Sequence, residues 1–205
     1  MNENLIAYAV AYLIGSIPFG LVLSKIFAGE DITKLGSNSI GATNVLRSLK
    51  DKNPSLAKKI AILTVVCDAL KGIIPILVAK FVFELDERTL WSMAVLAVVG
   101  HCFSVYLKFN GGKGIATGAG VLAIFLPIEL CLALLVWFIV GKVLKISSLA
   151  SLSALVAIVA FSFILHYDMP VIHTHAPLLI IATIVLYKHI PNIIRLIKGQ
   201  EKKVI

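Results

Sequence analysis

Between residues 5 and 27 the chain carries a single charged side chain, Lys25, and comparable apolar runs recur almost to its C-terminal end. A hydrocarbon core of roughly 30 Å takes about 20 apolar residues of helix to cross. Within that core each backbone N–H and C=O must find its partner inside the segment, so an isolated apolar run has to be helical. Further runs lie at 56–83, 89–107, 115–126, 128–140, 151–165 and 176–187. The expected class is therefore all-α: a polytopic membrane protein built as a seven-transmembrane helix bundle. With 59% hydrophobic and only 15% charged residues, an ordinary soluble domain is excluded.

The formal net charge of +8 raises the question of nucleic acid, but the basic residues flank the apolar runs as membrane anchors do, and no nucleic-acid partner is expected. Lys34, Arg47, Lys50, Lys52, Lys58 and Lys59 share one connection, Lys108 and Lys113 another, Lys142 and Lys145 a third. Lys188, Arg195, Lys198, Lys202 and Lys203 fill the tail, whereas the alternate connections hold little beyond Lys80 and Arg88. The positive-inside rule then puts the N-terminus outside and the C-terminus in the cytoplasm. The start, Met1-Asn2-Glu3-Asn4, lacks the basic region of a signal peptide, so the first run is expected to remain in place. Cys67, Cys102 and Cys131 stand apart within apolar segments and read as buried thiols, neither disulfides nor metal ligands. With no repeat or low-complexity stretch, residues 1–205 are expected to form one domain.

The polar punctuation is concentrated. Phe109-Asn110-Gly111-Gly112-Lys113-Gly114-Ile115-Ala116-Thr117 sets three glycines and a lysine at the start of an apolar helix. Glycine lets backbone N–H groups close on an oxyanion, and a helix start favours negative charge. The spacing is not that of a Walker A loop. A second cassette, residues 36–47, gathers hydroxyls, amides and Arg47, whose planar fork suits phosphate oxygens. Both fall on the expected cytoplasmic side. Either could also be a solvated turn.

Other features carry weaker signals. Pro18 predicts a kink in the first span, and Pro75 one in the second. Asp68 and Lys71, three residues apart inside an apolar run, can pair across one helix turn, either as a structural ion pair or as part of a site. His101 is placed to meet a ligand at the glycine cassette, or to be satisfied by a backbone carbonyl. Ser147-Ser148 resembles a helix start. His166, Asp168, His173 and His175 lack metal-ligand spacing and read as a polar loop. Ile190, Ile193, Ile194 and Ile197 share one face of a tail helix expected to lie on the membrane surface.

In order and spacing, Gly36-Ser37…Gly41-Ala42-Thr43-Asn44…Arg47, Gly100-His101, residues 111–117, Ser148-Leu149-Ala150-Ser151 and His189…Asn192…Arg195-Leu196 resemble the bacterial membrane acyltransferases of the PlsY family. The resemblance covers nearly the whole chain. It implies transfer of an acyl chain from acyl phosphate to the 1-hydroxyl of glycerol 3-phosphate, giving lysophosphatidic acid and phosphate in phospholipid synthesis. No cofactor or metal is implied, and membrane lipids are the surroundings. It also implies a multi-pass protein of the bacterial cell (inner) membrane with its site facing the cytoplasm. Ser37, Arg47, Lys113, His189 and Asn192 are the expected catalytic residues. Asn44, His101, Gly111, Gly112, Gly114, Thr117 and Ser148 are the expected substrate-binding ones.

Two departures stand out. Ser37-Asn38-Ser39 replaces the usual Ser-Gly-Asn, a turn that Asn38 can keep because asparagine tolerates left-handed backbone. Ser104 stands where a proline is common. The expected reaction is direct attack of the glycerol hydroxyl on the acyl carbon, with Arg47 and Lys113 holding phosphate and the 112–114 amides positioning the donor. The base is either His189 or a substrate phosphate. A transporter for a phosphorylated solute is the competing class, against which stand cassettes at one face and no internal repeat, and a scaffold subunit would leave the clustered phosphate-type residues unexplained.

Overall fold

The computed structural model describes residues 3–203, and over these the chain is helical with no strand. The first span is interrupted where Pro18 predicts. Helix α1 (Glu3–Gly15) stops and α2 (Phe19–Ala28) restarts after Pro18, whose missing N–H cannot extend the ladder. The two together still measure as one 26-residue apolar span. The short α3 (Ala42–Leu49) follows the first polar cassette. Next comes α4 (Pro54–Phe81), opened by the Asn53 side chain accepting from Leu56 N–H at 3.0 Å and running unbroken through Pro75. Asp86 caps α5 (Glu87–Cys102) in the same way.

After the glycine loop come α6 (Ile115–Phe125) and α7 (Pro127–Leu144), parted at Leu126 where Pro127 begins a new helix, then α8 (Ser147–Leu165) and α9 (Ala176–Lys188). A 56° bend at His189 leads into α10 (Ile190–Ile197). Five helical segments have the length and apolarity to cross a membrane, and six do if the bent α9–α10 pair is counted as one. Every expected run is helical, but α6, with 11 residues, rises only about 16 Å, half of a hydrocarbon core.

Helix α5 forms the axis of the bundle, burying Leu90, Trp91, Met93, Ala94, Ala97 and Val98 against α1, α4, α6 and α9. Trp91 stacks on Phe125 of α6 at 4.1 Å. Helices α4 and α6 meet closely: a Cβ on Gly120 would come within 2.4 Å of the Ala69 carbonyl oxygen, so only glycine permits the approach. Outward faces carry Ile62, Val66, Ile74 and Phe81 of α4 and Val156 and Ile164 of α8 exposed, as lipid-facing helices do. Cys102 is buried and Cys67 half-buried, but Cys131 is exposed on the outside of α7, contrary to the expectation of three buried thiols. On α10 the exposed residues include Ile190, Ile194 and Ile197, while Asn192 faces inward, as the amphipathic reading predicts.

Candidate active site

The polar cassettes converge at one end of the bundle around a cavity of about 380 Å³. Ser37, Arg47, Lys113, Ser148, His189 and Asn192 border it at that end. Farther along α6, α7, α8 and α9 its wall becomes apolar, with Leu122, Leu134, Trp137, Ile158 and Ile181. Three helices begin here: Ala42 and Thr43 of α3, Ile115 and Ala116 of α6, and Ser147 and Ser148 of α8 all line the cavity. A helix's first turn has N–H groups without acceptors in the helix, and the dipole adds partial positive charge. Three such ends on one cavity favour an anion there. Thr43 Oγ1 and Ser147 Oγ, 3.1 Å apart, tie two of them together.

The charges support this reading. Neither the Arg47 nor the Lys113 side chain makes a hydrogen bond or ion pair among the described residues. Burial pushes the Lys113 ammonium down to about 8; Glu201 opposes the shift, while Arg195 and Arg47 add to it. Burial also pushes His189 down to about 4, against the hydrogen bond to Val185. The His189 Nδ1 lies 2.8 Å from the Val185 carbonyl oxygen, which can only accept, so Nδ1 carries the hydrogen. Nε2 is then left as an acceptor.

The largest surprise is Glu201. Its Oε1 accepts from Ser148 Oγ at 2.9 Å and from Asn192 Nδ2 at 2.7 Å, while its Oε2 accepts from Arg195 Nε at 2.6 Å. Burial acts to raise this carboxyl, but the three donors outweigh it and hold the group below the usual carboxylate range. A carboxylate thus gathers two side chains, Ser148 and Asn192, that the family resemblance places in the site, together with Arg195. The signal in the sequence is slight: Glu201 is the one acidic residue after Asp168, set among lysines.

Four expected substrate-binding residues have other positions or partners. The N–H groups of Gly111 and Gly112 donate to the carbonyls of Cys102 at 3.1 Å and His101 at 2.9 Å, so they are not free to cradle an anion, and neither residue lines the cavity. Gly112 is glycine because a Cβ would fall 2.1 Å from His101 Nε2. Thr117 is buried behind the wall, its methyl toward Gly72 and its hydroxyl without a partner. Asn44 borders the cavity but serves the loop before it. Its Nδ2 donates toward the carbonyls of Ile32, Leu35 and Ser39, and its Oδ1 accepts from the Ser37 N–H at 2.8 Å and the Ser37 hydroxyl at 3.1 Å. In that loop Asn38 has φ 57°, the left-handed conformation expected of it.

Gly114, with φ 84°, does line the cavity, as does His101 from beneath. Ser104 is buried and donates to the Ser16 carbonyl at 2.6 Å, a bond proline could not make. In the 166–175 loop His166 pairs with buried Glu129 at 2.9 Å and His173 with Asp168 at 2.5 Å, and no group able to hold a metal ion occurs among the described residues.

Fold and site together define a helical, multi-pass integral membrane protein with a polar end of helix starts and cationic side chains on an apolar cavity. Residues 5–199 match the family described as glycerol-3-phosphate acyltransferase, and the chain belongs to that family of acyltransferases. It is 68% identical to the glycerol-3-phosphate acyltransferase of Campylobacter lari and 66% identical to that of Campylobacter concisus, in each case over 99% of this chain and 100% of the relative. It also resembles crystal structures of PlsY (YgiH), an integral membrane glycerol 3-phosphate acyltransferase, at 35% identity. The glycerol 3-phosphate form gives a TM-score of 0.86 over 98% of this chain and 96% of that one, and the lysophosphatidic acid form gives 0.85 over 98% and 95%.

Proposed function

We propose that the protein transfers an acyl chain from acyl phosphate to the 1-hydroxyl of glycerol 3-phosphate, forming lysophosphatidic acid and phosphate for phospholipid synthesis. The observation that carries this reading is one cavity with three helix starts, Arg47 and Lys113 at its polar end and apolar walls beyond. The polar end suits phosphate, and the walls suit an acyl chain.

Arg47 offers a bidentate fork to phosphate oxygens, and Lys113 a point charge beside it. Asn192 keeps a second amide hydrogen for phosphate, the Ser37 and Ser148 hydroxyls can donate to it by turning from Asn44 and Glu201, and the open first turn of α6, after Gly114, supplies backbone N–H groups. The glycerol oxygen attacks the acyl carbon, the carbonyl π pair moves to oxygen, and its return breaks the bond to the phosphate oxygen. Phosphate leaves with that bond's electrons and finally holds the hydroxyl proton. A mixed anhydride has a good leaving group, so positioning and charge stabilisation suffice. A histidine held at about 4 is a weak base at neutral pH. His189 Nε2 therefore orients the hydroxyl, and the phosphate takes the proton.

The whole chain acts as one domain in the bacterial inner membrane. Seven membrane-inserted helices, with α1–α2 counted as one and α6 reaching partway, carry the N-terminus outside and the C-terminus and site in the cytoplasm. Loop charge supports that orientation. Purified protein given labelled glycerol 3-phosphate should form labelled lysophosphatidic acid with palmitoyl phosphate and not with palmitoyl-coenzyme A. Product from the coenzyme A donor alone would overturn the donor assignment. Absence of product from folded protein with either donor would overturn the reaction.

A further inference from the structure

Three ionisable side chains beside the cavity carry no step of the reaction above. Asp68 and Lys71, one turn apart on α4, pair at 2.7 Å with both side chains almost wholly buried. Lys71 also donates to the Ile17 carbonyl at 2.7 Å, in the break between α1 and α2. From the last turn of α5, His101 brings Nδ1 to 3.7 Å from the same Asp68 oxygen, an electrostatic contact longer than a hydrogen bond, and that buried nitrogen has no hydrogen-bond partner. Replacing a buried ion pair by apolar side chains is often neutral for stability. Stability alone is thus a weak reason for these charges.

The other side of His101 supports the glycine loop. Its carbonyl accepts from Gly112 N–H, and its ring occupies the space where a Gly112 Cβ would be. The next residue is Lys113. The loop on either side holds left-handed backbone at Lys108, Phe109 and Gly114, and the α5 end is its main anchor through the His101 and Cys102 carbonyls. Asp68, His101 and Lys113 border the same cavity.

We propose that Asp68, held in place by Lys71, fixes the His101 ring beneath Gly112 and so sets the position of Lys113. Asp68 and His101 are positioning residues for phosphate binding. The inference rests on the reading of Lys113 as a phosphate-holding group. A rigid support matters because a displacement of about 1 Å in a charged binding group can cost on the order of 100-fold in rate.

The test exchanges the pair for apolar side chains in the full-length protein, Asp68→Leu with Lys71→Met, leaving no unpaired charge. Melting should stay close to wild type, while KM for glycerol 3-phosphate and Kd for inorganic phosphate rise about tenfold or more and kcat changes less. Asp68→Asn with Lys71→Met keeps an acceptor for His101 and should recover phosphate affinity to within about threefold of wild type. If the apolar double variant folds and its KM and Kd stay within about twofold of wild type, the inference is overturned. If that double variant does not fold, His101→Phe keeps a ring under Gly112 but loses Nδ1. A rise in Kd then supports the inference, and an unchanged Kd overturns it. Failure of the wild type to make lysophosphatidic acid would count against the proposed reaction alone, because the phosphate titration reads the positioning effect without turnover.

Discussion

The amide nitrogen of Asn192 lies 2.7 Å from a carboxylate oxygen of Glu201, nine residues later and past the end of α10. The same oxygen accepts from Ser148, at the start of α8, and the other accepts from Arg195. One carboxylate therefore joins the tail, α10 and the α8 start. Glu201→Ala should unfasten the tail and α10 from the α8 start and so misplace Ser148 and Asn192, raising KM for glycerol 3-phosphate by about tenfold and lowering the melting temperature. Glu201→Gln keeps the acceptor oxygen for Ser148 and Asn192 and should fall between the alanine variant and wild type. Steady-state kinetics beside a thermal melt would check both.

Lys113 makes the activity sensitive to alkali. Held at about 8, below the ordinary lysine value of 10.5, it loses its charge as pH rises through about 8, and kcat/KM should fall above that point. Stability moves the other way. Between about 8 and 10.5 the unfolded chain holds this proton and the folded one does not, so the Lys113 contribution to stability grows as pH rises across that window. Lys113→Arg, charged throughout, should abolish the alkaline limb. A pH–rate profile of the two proteins from pH 6 to about 10 gives the answer.

The Arg47 and Lys113 side chains face the cavity without a hydrogen bond or ion pair among the described residues. Removing either should leave the fold intact and cut turnover by about 100-fold or more, the size of losing one stabilising donor at a charge-developing centre. Arg47→Lys should remain impaired, because an ammonium cannot reproduce the two-pronged grip. Near-normal rates for Arg47→Ala or Lys113→Ala would remove that residue from the mechanism.

Gly120 offers a test of packing away from the chemistry. A Cβ there meets the Ala69 carbonyl oxygen at 2.4 Å, backbone against backbone. Gly120→Ala should force α4 and α6 apart at a cost of about 1–3 kcal/mol, seen as a lower melting temperature.

Much of this arrangement is legible in the chain because it is local. The basic loops, the helix-breaking Pro18, the left-handed Asn38, the Asp68–Lys71 spacing and the isoleucine stripe of α10 are each written within a few residues. What local pattern cannot report is which partner a group has already taken. Gly111 and Gly112 look like free donors until the carbonyls of His101 and Cys102 meet their N–H groups, about ten residues earlier in the chain. Asn44 has the composition of a ligand contact, yet its amide is used on Ile32, Leu35 and Ser39. Glu201 meets Ser148 across 53 residues, a distance that no periodicity encodes.

Helix α10 leaves α9 at 56°, with Asn192 turned to the protein and Ile190, Ile194 and Ile197 turned away. One site residue, Asn192, is thus mounted on a helix with one side against the protein and an exposed apolar side, just past the bend that holds His189. Such a helix is held by its surroundings much as a subunit is held by a neighbour. If that apolar side meets lipid, lateral pressure and headgroup spacing enter the geometry of the site, and in the reaction proposed here the bilayer that receives the product would also help to set how quickly it is made.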